Sequence, residues 1–93
     1  MIARGQRPRL AKKARLRWDA PNQRHMLVYP ERGMLLNATA AEVVQLCTGE
    51  RSVDEIIAAL QLKFSAAPPA QVEREVIAFI DALAERGLIA EDA

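Results

Sequence analysis

The chain predicts an α+β fold in which a small antiparallel sheet precedes a group of helices. Three observations predict it. Before Asn37 the apolar residues fall in short alternating or β-prone runs separated by Pro and Gly. After Asn37 they recur at helical spacing behind capping sequences. The 93 residues, 51% of them hydrophobic, suffice for one core and leave no room for a second.

Taken in order, Arg15-Leu16-Arg17-Trp18-Asp19 alternates charged and apolar residues, the period of a half-buried strand. Pro21-Asn22-Gln23 reads as a turn, and residues 25–29 form a second β-prone run ended by Pro30. After Glu31-Arg32-Gly33 a third short run covers residues 34–36. Links this short favour a meander, three antiparallel strands in chain order, with the third at an edge. Thr39-Ala40-Ala41-Glu42 has the form of a capping box, with Thr39 as the cap of a first helix that Thr48-Gly49 stops. Ser52-Val53-Asp54-Glu55 is a second box, opening a helix whose apolar positions are Ile56, Ile57, Leu60 and Phe64. A third helix starts near Pro69, where a missing N–H is harmless, and runs to about Arg86. Gly87 then serves as a left-handed C-terminal cap, and Leu88 and Ile89 fold apolar surface back. The expected layout is a single domain, 1–93: a flexible basic arm over 1–13, a β meander over 14–37 and a three-helix region over 38–89. That order is winged-helix-like.

Composition excludes several classes of function. Cys47 is the single cysteine and His25 the single histidine, so neither a disulfide nor a Cys- or His-based metal site is expected. Ser52 and Thr39 are accounted for as helix caps, and no Ser–His–Asp set has a spacing logic. Adjacent carboxylates such as Asp54/Glu55 and Glu91/Asp92 diverge on a helix and read as solvated faces. Cys47, beside Leu46, reads as a small core residue. The chain is therefore expected to be no enzyme, with no catalytic residues, no metal and no cofactor. No apolar run approaches the roughly 20 residues of a membrane span, and the first 17 residues lack the apolar stretch of a secretory signal. The cytoplasm is the expected compartment, with no membrane partner.

Charge is uneven along the chain. Up to Arg24 there are eight basic residues and one acid, whereas from Ala38 onward ten acids face four bases. Such a distribution suits a nucleic-acid-binding arm, two halves of one domain that attract each other, or a tail for an acidic protein partner. The nucleic-acid reading, a small regulator binding through its arm, is the alternative function. The predicted second helix opens Asp54-Glu55, and the third carries Glu73, Glu75, Asp81 and Glu85 against Arg74 and Arg86, so a duplex would be repelled there.

The third helix and the third strand carry the functional reading. At 100° per residue Val72, Val76, Phe79, Leu83 and Gly87 form a core stripe, with Ile80, Ala84 and Ile77 beyond it on one side. The apolar sector is thus about 160° wide, more than the roughly 100° that packing one core requires. Met34, Leu35 and Leu36 form an edge without Lys or Pro, the usual protections against pairing. The two elements predict a groove for an extended peptide: main-chain pairing along Met34, Leu35 and Leu36, with Ile77, Ile80 and Ala84 lining the other wall. The same open edge, with a mobile arm, also permits exchange into a homodimer.

Several segments together are similar to pyrroloquinoline quinone (PQQ) biosynthesis protein D. They are Arg15-Leu16-Arg17-Trp18-Asp19, Pro30-Glu31, Leu36-Asn37-Ala38-Thr39-Ala40-Ala41-Glu42-Val43-Val44-Gln45-Leu46-Cys47, Gly49, Ser52-Val53, Glu55-Ile56-Ile57 and Leu60, then Phe79-Ile80-Asp81-Ala82-Leu83 and Arg86-Gly87-Leu88-Ile89. The resemblance covers roughly residues 8–89. It implies a winged-helix peptide-recognition element of ribosomal peptide maturation. The implied function is a chaperone that binds the PQQ precursor peptide and presents it to a radical S-adenosylmethionine (SAM) enzyme. It also implies strand addition to the third strand beside the third helix, the pair of elements that the wheel and the edge had suggested: main-chain pairing along Gly33, Met34, Leu35 and Leu36, apolar contacts from Ile77, Ile80 and Ala84, and polar selection by Asp81.

Overall fold

The structure, a computed structural model, describes residues 2–30 and 32–90. Glu31, which belongs to the predicted turn, and the Glu91/Asp92 pair lie outside the described residues. The elements in chain order are β1 (Arg9–Leu10), β2 (Arg15–Asp19), β3 (Arg24–Tyr29), β4 (Arg32–Leu35), α1 (Ala38–Leu46), α2 (Val53–Lys63), α3 (Pro69–Glu85) and β5 (Ile89–Ala90). Strands β2, β3 and β4 form the expected antiparallel meander, with β2 and β4 at its edges. The α+β class therefore stands, with its three-stranded sheet and three helices.

Register assigns the faces. Leu16, Leu27 and Met34 lie in one row across the sheet, with Leu27 fully buried, so this face packs on the helices. Arg17, Met26 and Leu35 form the adjacent row on the opposite face, where Leu35 is 41% exposed. Below the sheet, Val43 of α1, Val53, Ile56 and Leu60 of α2, and Val76, Ile80 and Leu83 of α3 are almost wholly removed from water.

The helix boundaries have identifiable causes. Ser52 and Glu55 cap α2 reciprocally: the Glu55 N–H donates to Ser52 Oγ at 3.1 Å, and the Ser52 N–H donates to Glu55 Oε1 at 2.8 Å. Helix α3 starts at Pro69, and Gly87 takes φ +70° just beyond it, as expected. The cap of α1 corrects the expectation. Asn37, not Thr39, is the N-cap, its Oδ1 accepting the Ala40 N–H at 2.8 Å. Asn caps as well as Thr does, and its extended backbone starts the helix two residues earlier. Thr39 thus moves into the first turn, and Glu42 meets Lys63 of α2 instead of closing a box.

The start of the chain differs from expectation as well. The segment expected to be a flexible arm is laid along the helices. Arg9–Leu10 pairs antiparallel with Ile89–Ala90, and Arg9 also bridges to Thr48. Main-chain N–H groups of Gly49, Val53 and Asp54 donate to the carbonyls of Pro8, Gln6 and Arg4, and Pro8 is fully buried. Arg4 pairs with Asp54 at 3.3 Å and with Glu73 at 2.8 Å. Of the readings of the charge asymmetry, mutual attraction within one domain is the one these contacts express.

Candidate peptide-binding cleft

Antiparallel pairing determines which main-chain groups of β4 are free. The Leu36 N–H donates to the His25 carbonyl at 2.9 Å, so Leu36 and His25 are a hydrogen-bonded pair. Bonded and non-bonded pairs alternate along an antiparallel ladder. Arg32 and Met34 therefore also turn their N–H and C=O groups toward β3, while Gly33 and Leu35 turn theirs outward. The outer edge of β4 offers these two residues to an added strand. The other edge, β2, places Arg15, Arg17 and Asp19 along a five-residue strand, the charge protection that β4 lacks.

Two contacts orient α3 relative to this edge. Near the end of the helix, Arg86 Nη1 donates to Tyr29 Oη at 3.4 Å, and Tyr29 is the register partner of Arg32. Nearer its start, Glu75, Ala78 and Phe79 share a hollow of about 310 Å³ with Asn37, Thr39 and Ala40, just past the end of β4. The helix therefore runs antiparallel to β4. From Glu75 to Arg86 it spans about 17 Å at 1.5 Å per residue. From Arg32 to Asn37 the strand path covers about the same length. An extended segment of about five residues matches both.

The flank of α3 that borders this hollow carries Glu75, Ala78 and Phe79, whereas the residues expected to line a groove lie elsewhere on the helix. Val72, Val76, Ile80 and Leu83 are the buried stripe, and Ile80 is 0% exposed. Ile80 is a core residue and lines no surface, which corrects its assignment to a groove wall. Phe79, expected in the core, is half-buried at the cleft. Ile77 and Asp81 are half-buried and Ala84 is exposed, all on the opposite flank. That flank is where the start of the chain docks: the Ile2 N–H donates to Asp81 Oδ1 at 2.9 Å, and Arg4 holds Glu73. Asp81 is thus engaged by the chain itself, and Ile77 lies one turn from both engaged acids. Of the strand residues, Gly33 and Leu35 are exposed, Met34 is half-buried toward the helices, and Leu36 is buried. The residues missed in the sequence are Thr39, Glu75, Ala78 and Phe79 at the hollow, and Arg86 at the Tyr29 hydroxyl. Phe79 was within the apolar sector, but a wheel does not say which of its two margins the sheet leaves open.

Cys47 is buried, and burial pushes its thiol up to about 12, which leaves it protonated and inert at neutral pH. Among the described residues no group of three His, Cys, Asp or Glu is placed to hold a metal ion. No helix among them is long and apolar enough to cross a membrane. Nothing supports the nucleic-acid alternative, since Arg4 is paired to acids and Arg7 Nη1 reaches the Glu50 carbonyl at 3.4 Å. A second hollow, about 230 Å³, lies beside Trp18, a residue that is 54% exposed and whose ring meets His25 edge-on at 5.1 Å.

Comparison with known proteins agrees on one family. Residues 24–89 match the family model described as coenzyme PQQ synthesis protein D (PqqD). A protein of Rhodopseudomonas palustris (strain HaA2) named PqqA binding protein is 39% identical over 90 residues, covering 97% of this chain and 87% of its own. Its namesake from Klebsiella pneumoniae is 41% identical over 66 residues, 71% of this chain and 70% of its own. Among solved structures, the PqqD truncation of Methylobacterium extorquens PqqCD is similar with TM-score 0.74 and 31% identity. The match covers 90% of this chain and 88% of that one. That structure is described as a functional, stand-alone recognition element for ribosomally synthesised and post-translationally modified peptides.

Proposed function

The chain belongs to the PqqD family, and we propose from that premise that it is a peptide chaperone of PQQ biosynthesis. It binds a PqqA precursor peptide, the ligand named for its relatives, and does no chemistry itself. The peptide adds as a strand to β4, bonded at the main chain of Gly33 and Leu35. Its inward side chains enter the cleft beside Met34, Thr39, Ala78 and Phe79. The single observation that supports this reading most is the open β4 edge, with an unfilled hollow between Asn37, Thr39, Ala40 and α3 just past its end. Main-chain bonds supply attachment for any extended segment, and the cleft supplies selection. The bound peptide is presented to a radical SAM enzyme, which installs the modification, and this takes place in the cytoplasm. A free β4 edge also allows two copies to pair as a homodimer, which the peptide would displace.

Amide-shift mapping by NMR, with a synthetic PqqA peptide titrated into the full chain, tests the proposal. Shifts should concentrate at Gly33, Leu35, Thr39, Ala78 and Phe79. Shifts confined to β2, or to the flank bearing Ile77 and Asp81, would reject the site. No shift anywhere at millimolar peptide would reject the function.

A further inference from the structure

The two ends of the cleft differ in charge. At one end the Arg86 guanidinium lies against the Tyr29 hydroxyl, and Arg32 stands opposite Tyr29 in the register, on the same face of the sheet. Both arginines are exposed, and neither is paired with an acid among the described residues. At the other end Glu75 lines the hollow beside Thr39, and the group that holds its carboxylate is the uncharged amide of Gln71, at 3.1 Å. A strand lying between these ends meets two guanidinium groups at one and a carboxylate at the other.

Building on the peptide-binding reading, we propose that the Tyr29 end is a carboxylate subsite, in which Arg86 and Arg32 engage one acidic side chain of the bound peptide. Guanidinium groups suit this task because their planar N–H forks match carboxylate oxygens. The main-chain ladder of β4 accepts a strand of almost any sequence, and by itself it says little about which residue sits where. A charge at each end supplies that information. An acidic residue is attracted at the Arg86 end and repelled by Glu75 at the other, so one register and one direction of the peptide are favoured over their reversal. Tyr29 is the anchor of the arrangement: it is 8% exposed, and its hydroxyl accepts from Arg86 on the side of the sheet that bears Arg32.

Anisotropy titrations of the full chain with a fluorescein-labelled synthetic PqqA peptide test this. A companion series replaces each Asp or Glu of the peptide, one at a time, by Asn or Gln. One amide peptide should bind about three- to fivefold more weakly than the parent, the range of a partly exposed ion pair. Arg86→Gln should show the same loss with the parent peptide and no further loss with that amide peptide. Arg32→Gln, a second exposed position, should reproduce the pattern. The peptide series leaves the protein unaltered, so folding does not enter it. If the parent binds and every amide peptide binds equally well, the subsite falls while strand addition stands. Losses that simply add between Arg86→Gln and the amide peptide also refute the subsite. If the parent peptide itself does not bind, both the subsite and the function fall.

Discussion

Alanine substitutions at the neighbouring positions Ile80 and Phe79 should have opposite signatures. Ile80 is 0% exposed in the centre of the core stripe, between Val76 and Leu83. Removing its buried carbons leaves a cavity, and such changes cost about 2–5 kcal/mol. For a domain of this size each kcal/mol lowers the melting temperature by about 4–8 °C. Taking about 3 kcal/mol, Ile80→Ala should melt about 12–24 °C below the parent. Phe79 is half-buried and lines the cleft, so Phe79→Ala should lose less stability, about 1–2 kcal/mol. It should weaken the peptide about tenfold, since the ring face lost from the complex is worth about 1.4 kcal/mol. Thermal melting followed by circular dichroism gives the first quantity. Anisotropy with a labelled PqqA peptide, recorded at 10 °C where both variants are folded, gives the second. If the folded Ile80→Ala protein loses affinity while Phe79→Ala binds normally, the peptide approaches α3 from the other flank and the cleft assigned above is wrong.

Leu35→Pro should remove one outward N–H without breaking the β3–β4 ladder, because that residue bonds away from β3. Its expected result is an unchanged helical spectrum with peptide affinity lowered about fivefold or more; full affinity would exclude pairing at this edge. Ser52→Ala should cost about 1 kcal/mol through loss of the α2 cap, read as a melting shift of about 4–8 °C. In the parent, Glu55 sits below its ordinary value of 4.5, held down by the Ser52 N–H and then by the Ser52 side chain. A depressed carboxylate stabilises the fold above its unfolded value and loses that contribution as pH falls through the folded one. Stability should therefore decline below about pH 4.5 with a component that Glu55→Gln removes, measured by urea melts across pH 3–6; an identical slope in Glu55→Gln would discount the box. Cys47 should resist iodoacetamide at pH 8 until denaturant unfolds the chain, as its buried thiol stays protonated, and rapid labelling of the native protein would contradict that burial.

Most of the elements were legible in the residues because they obey local rules. The alternation of Arg15 to Asp19, the Ser52–Glu55 box, Pro69 and Gly87 each act through neighbours a few positions away. The parts that were not legible depend on distant partners. Strands β1 and β5 have two residues each, too few for any period, and exist because Arg9 meets Ala90 across the whole chain. Asn37 and Thr39 are both good caps, and tertiary packing of Ala40 and Ala41, both buried, decides between them. Phe79 and Ile80 differ by one position in a broad apolar sector. Residues 2–8 settle which margin stays open: Ile2 and Arg4 cover the Asp81–Glu73 side and leave Phe79 uncovered.

The pairing of Arg9–Leu10 with Ile89–Ala90 has a mechanical corollary. The two strands sit side by side, roughly 5 Å apart. The chain just before them is bonded at Pro8, Gln6 and Arg4 to the segment that opens α2. The stretch that shields the Asp81–Glu73 flank of α3 therefore shares its anchorage with β5, and loosening β5 would loosen that shield as well.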